Sequence, residues 1–212
     1  MKKMWLALVV FVMIVSIVPT AFAETGYGKG DYKVFSLGDS EELTKEKYEY
    51  LINKGEITPL IQMPSKSEIV PTFLYKHFTA DVAGHRFDVF LLFYNDLLYQ
   101  MYFKSQNYYA SSFDTQLKTL MTERVKPMFE GVYGPPTIDY GYPDFFLVRD
   151  GYVYCIAKWI IDDRKEIELR INPSGSKYSG EIIITETELK RQKEKDEEER
   201  ERQKILESAA DF

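Results

Sequence analysis

Asp81 and Asp88 are the residues whose spacing first suggests chemistry. Gly84-His85, between them, has the composition of a two-residue hairpin turn. Such a turn would set Asp81 directly opposite Asp88 on one face of the hairpin. Like charges so placed repel unless a cation or the nearby Arg86 compensates, and a carboxylate pair with one raised pKa can exchange protons with a substrate. His77 stands four residues before Asp81 and shares its face in a strand. Asp81, Asp88 and His77 are therefore the candidate set for a metal ion or for carboxylate-dependent hydrolysis. The plainer reading of these residues is two solvated carboxylates near a turn and a satisfied histidine. The chain has no Gly-rich phosphate loop, no G-x-S-x-G and no H-E-x-x-H. Cys155 is the only cysteine, which excludes an intramolecular disulfide and a multi-cysteine zinc site. It alternates with Val153, Ala157 and Trp159 and reads as a buried, inert thiol.

A second constellation is aromatic. Residues 131–144 read GVYGPPTIDYGYPD, with Tyr133, Tyr140 and Tyr142 set among glycines and prolines. Gly and Pro fix the backbone of such a loop, and Tyr adds rigid amphipathic area at low entropy cost, a combination used by recognition surfaces. Tyr108 and Tyr109, just before the next helix, are placed to border the same surface. These five tyrosines are the candidate binding residues. The alternative is that they pack on the domain's own sheet.

The elements that must position these residues form an α+β plan. A short strand is expected over 32–37, and then a helix over 41–54, capped by Asp39 or Ser40 and ended by Gly55. Pro59, Pro64 and Pro71 punctuate an irregular connection. Three antiparallel strands follow over 75–104, with Asn95-Asp96 as the second turn. Phe113, Leu117, Leu120, Met121 and Val125 fall on one helical stripe, which Pro127 is expected to strain or end. The second strand set comprises 145–148, 152–161, a strand with Ile167, Leu169 and Ile171 on its dry face, and 178–185. The expected fold is thus an antiparallel sheet, or sheets, of two strand meanders with a packed amphipathic helix. The domain spans 24–185, and the order of its elements allows a degenerate duplication with halves near 32–110 and 111–185. Thr185-x-x-Glu188 has the form of a capping box opening a charged, solvent-exposed helix over 186–212. Glu186–Lys190 and Glu198–Arg202 have the favourable i, i+4 order there.

Residues 1–23 have the three-part layout of a secretory leader: Lys2 and Lys3, an apolar run, and Ala21-Phe22-Ala23 before an expected cleavage at Glu24. Loss of the leader takes the formal net charge from −6 to −8. An acidic chain argues against nucleic-acid binding. No later apolar segment is long enough to span a bilayer.

The succession of the Asn95-Asp96 hairpin, the amphipathic helix, Tyr133-Gly134-Pro135, Trp159 and the Ile167/Leu169/Ile171 strand resembles small exported bacterial proteins of unknown function. These share a hairpin, helix, YG-x-P, hairpin layout, and the resemblance covers about residues 75–185. Pro127 departs from their uninterrupted helix. The resemblance implies an α+β domain in the bacterial envelope and no reaction. The expectation is a periplasmic or secreted, non-enzymatic module that binds another envelope protein, with no cofactor and no membrane span once the leader is removed. The alternatives are a carrier of a small apolar or aromatic ligand and a carboxylate-dependent hydrolase.

Overall fold

The computed structural model describes residue 27 and residues 29–62 and 72–210. The predicted leader, and Pro64 and Pro71 of the connection, lie outside the described residues. The fold is α+β, with one antiparallel sheet of nine strands. Helix α1 (Glu41–Asn53) precedes β1 (Ile57–Gln62), β2 (Thr72–Val82), β3 (His85–Tyr94) and β4 (Leu97–Ser105). After β5 (Tyr108–Tyr109), π-helical turns over Phe113–Leu117 and Thr119–Val125 lead into α2 (Lys126–Tyr133). Then come β6 (Ile138–Asp139), β7 (Tyr154–Ile161), β8 (Lys165–Ser174), β9 (Lys177–Glu186) and α3 (Thr187–Ala210). The strand order is β1-β2-β3-β4-β9-β8-β7-β6, with β5 paired to β9. From either edge the sheet reads as a short strand and then a three-stranded meander, each half preceded by a helix. A duplicated helix–four-strand unit would give this arrangement.

One register row crosses six strands: Phe78, Val89, Phe103, Ile182, Leu169 and Ala157. Every member is buried. Against this inner face lies the expected stripe of Phe113, Leu117, Leu120, Met121 and Val125, also buried throughout. Gly180 on β9 makes the close approach possible. A Cβ there would stand 2.4 Å from the Met121 sulfur and 3.3 Å from Leu117. Pro127 does not end the helix. It has no N–H to give and crowds the carbonyl four residues back; the wider turns before it absorb that conflict, and the helix runs on to Tyr133.

Other expectations are corrected. Residues 32–37 form no strand, because Tyr32 and Phe35 exchange both backbone hydrogen bonds in a tight turn. The connection around Pro59 contains β1, whose edge position tolerates the missing N–H. Residues 145–148 are no strand either: Phe145–Leu147 is a 3-10 turn. A bulge between Cys155 and Ala157 turns Ile156 and Ala157 into the core and leaves Cys155 half-buried on the other face, opposite Arg170. The cap of α3 is not Thr185. The Glu186 carboxylate accepts from the Leu189 N–H at 2.5 Å, and the Thr187 hydroxyl donates to the Asp163 carbonyl.

Ion pairs along α3 run mostly from Lys to the following Glu, as in Lys193–Glu197 at 2.6 Å. They do not include Glu186–Lys190 or Glu198–Arg202. Midway along α3, Tyr94 hydrogen-bonds Asp196, and Lys193 sits 5.9 Å over the Tyr99 ring. Among the described residues no helix is long and apolar enough to cross a membrane.

Candidate functional site

The hairpin turn between β2 and β3 is Ala83-Gly84, one residue earlier than Gly84-His85. Both residues adopt left-handed backbone conformations, with φ of 53° and 79°. The register therefore sets Asp81 opposite Arg86 and Asp88 opposite Thr79. The two carboxylates keep one face but do not oppose each other. Asp81 instead accepts the Gly84 N–H at 2.9 Å and tightens the turn. His77 lies flat on Phe90, with ring centroids 3.9 Å apart. Among the described residues no group of three or more His, Cys, Asp or Glu side chains is arranged to hold a metal ion.

Burial pushes the His77 pKa below the usual 6.5, against an opposing pull from Asp88. The folded chain thus resists protonation that the unfolded chain accepts. This contribution to stability is complete above about pH 6.5 and is lost as the pH falls through the folded-state value. His77→Phe, which keeps the stack, is expected to narrow the difference between urea midpoints at pH 7.5 and pH 5.5. An unchanged difference would count against burial of a neutral imidazole.

The outer face of β7, β8 and β9 carries a set of paired charges. Lys158 pairs with Glu166 at 2.7 Å and Glu168 at 3.2 Å, and Arg170 pairs with Glu168. The buried Glu181 carboxylate accepts from the Tyr102 hydroxyl at 2.5 Å and the Asn172 amide at 2.6 Å. These contacts satisfy Lys158, Glu166, Glu168, Arg170 and Glu181 within the sheet. Burial, followed by the Glu181 hydrogen bond, raises the pKa of Tyr102. Burial likewise raises that of Cys155, so this thiol lacks the depressed pKa of a nucleophile.

The aromatic constellation is divided by the structure. Tyr108 is buried. Tyr133 packs on Phe129, and Lys165 sits 4.9 Å over its ring. Tyr142 donates to the Phe113 carbonyl at 2.8 Å, and their rings are 5.1 Å apart. These three tyrosines belong to the domain's own packing. Tyr140 and Tyr109 remain in solvent, the latter with Lys177 6.0 Å over its ring.

More apolar surface stands just downstream of the predicted loop, where sequence reasoning placed strands. Phe146 is 90% exposed, Leu147 68%, Tyr152 65% and Val153 49%, and Tyr140, before them in the chain, is 63% exposed. The backbone that carries them is tied down. The Tyr140 and Gly141 N–H groups both donate to the Ile156 carbonyl, at 2.9 and 3.1 Å. Asp139 pairs with Lys126 at 2.6 Å, which holds its carboxyl below the ordinary range. Asp144 caps the 3-10 turn by accepting the Phe146 N–H at 3.0 Å. The Tyr154 hydroxyl accepts from the Arg149 N–H and donates to the Leu147 carbonyl. Phe145 turns inward onto Phe113 and Tyr178, while its neighbour Phe146 turns out. The signal available in the sequence was a cap, Asp144, and a turn, Asp150-Gly151, bracketing Phe-Phe-Leu-Val with no alternation. A segment so bracketed need not be a strand.

The arrangement is a capped and hydrogen-bonded platform for large apolar side chains. No family model matches the chain, and neither a curated protein nor a solved structure matches it.

Proposed function

We propose that this chain is an exported accessory module that binds a protein partner in the bacterial envelope through Tyr140, Phe146, Leu147, Tyr152 and Val153. The observation that carries the reading is Phe146, 90% exposed at a turn whose backbone is capped and hydrogen-bonded on both sides. Full burial of a side chain of this size is worth about 1.5–3 kcal/mol, and clustered exposed apolar groups mark interaction surfaces. A rigid loop also spares the partner the entropic cost of ordering it. Export rests on the leader-like residues 1–23 and on the resemblance to exported proteins.

A photo-reactive amino acid at position 146, introduced in cells that export the chain, tests the reading. One discrete protein adduct is expected there and none from the same group at position 203, on the exposed part of α3. Adducts of equal yield and identity from both positions would contradict it.

A further inference from the structure

The inner face of the sheet is not fully covered by its helices. Where the chain enters at residues 29–33, a cavity of about 180 Å³ lies between the sheet and α2. Phe103, Ile182 and Ile184 line it from the sheet, and Met128, Phe129 and Val132 from α2. Met128 and Val132 are 37% and 58% exposed, so this side of the cavity reaches solvent. Such a volume matches a ligand a little larger than benzene, which fills an apolar cavity of about 150 Å³.

The mouth is charged, and its ion pairs leave one ammonium group over. Lys29 and Lys33 line it, together with Asp31. Asp31 is already committed, to Lys165 at 2.7 Å and to the Leu37 N–H at 2.9 Å. Lys33 is committed as well, to Glu56 at 3.1 Å. Lys29 makes no ion pair with a described residue. Lys33 also holds a left-handed backbone, φ 52°, where glycine or asparagine would be less strained.

We propose that this cavity binds a small monoanionic amphiphile, a medium-chain carboxylate of about ten heavy atoms. The alkyl chain would lie on Phe103, Ile182 and Ile184, and the carboxylate would meet Lys29 at the mouth. Neither Phe146 nor Leu147 lines the cavity, so this site and the protein-binding surface stand or fall separately.

Trp159 offers an intrinsic reporter. Its ring is 5.7 Å from that of Phe129, and the other tryptophan, Trp5, belongs to the predicted leader. Octanoate titrated into the exported chain is expected to change Trp159 emission saturably, with a Kd between about 10 µM and 1 mM. Octanol is expected to bind about five-fold more weakly. Replacing Lys29→Ala should weaken octanoate by about five-fold and leave octanol unchanged. Filling the open side with Met128→Phe and Val132→Phe, at half-exposed helix positions that tolerate the change, should abolish binding of both. The proposal is overturned by no saturable change up to roughly 10 mM octanoate, by octanol binding as tightly as octanoate, or by unchanged binding in the filled variant.

Discussion

Phe113→Ala is expected to lower the unfolding free energy by about 3–5 kcal/mol, the cost of removing a fully buried aromatic ring and leaving a cavity. Set against the 5–15 kcal/mol typical of a folded domain, this is a large fraction. The position matters beyond its own burial. Phe113 meets Tyr142, Phe145 and Tyr178 at ring distances of 5.1, 5.3 and 4.9 Å, and its carbonyl accepts the Tyr142 hydroxyl. The ring is the anchor from which residues 142–147 are suspended. Limited proteolysis of the variant should therefore cut within residues 140–150 before it cuts elsewhere. Tyr142→Phe, which removes one hydrogen bond and keeps the ring, should cost only about 0.5–1.5 kcal/mol and leave that segment protected. Urea denaturation and peptide mapping read both effects. A Phe113→Ala chain that unfolds at the midpoint of the parent would show that the aromatic cluster does not hold the segment.

The second large effect concerns binding. Phe146→Ser combined with Leu147→Ser is expected to weaken partner binding by roughly 100-fold or more, since central apolar anchors commonly carry 2 kcal/mol or more each. Stability should move by no more than about 0.5 kcal/mol, because neither side chain is part of the core. This separation of binding from stability is what distinguishes a recognition surface from surplus apolar area. Phe145→Ser, one residue away, should do the opposite and destabilise, because its ring packs on Phe113 and Tyr178.

Strands and helices whose apolar residues follow a clean period could be read without the structure. The alternation in Ile167, Leu169 and Ile171 and the stripe from Phe113 to Val125 both correspond to buried faces. The Asn95-Asp96 and Asp162-Asp163 turns show the left-handed backbones that their composition suggests. Reading fails where one residue changes the register. Ala83 accepts a left-handed conformation that propensity assigns to glycine, and this moves the turn and parts Asp81 from Asp88. The bulge after Cys155 is equally silent in the sequence, yet it decides which face the thiol occupies.

The candidate site was half legible. Tyrosines among glycines and prolines pointed to the stretch just before the exposed apolar side chains, but side-chain type does not say which rings turn inward. Tyr133 and Tyr142 are drawn in by Phe129 and Phe113, while Phe146, in a Phe-Phe pair where either ring could have packed, is the one turned out. Tertiary packing makes that choice, through the 3-10 turn that Asp144 caps.

The most direct measurement places the photo-reactive group at position 152, in the same exposed segment as the two anchors, and compares the parent chain with the Phe146→Ser, Leu147→Ser variant in cells. The expected result is a discrete protein adduct from the parent that disappears from the variant, while both chains unfold at the same urea midpoint. The same adduct at the same yield from both would contradict a binding surface built on Phe146 and Leu147.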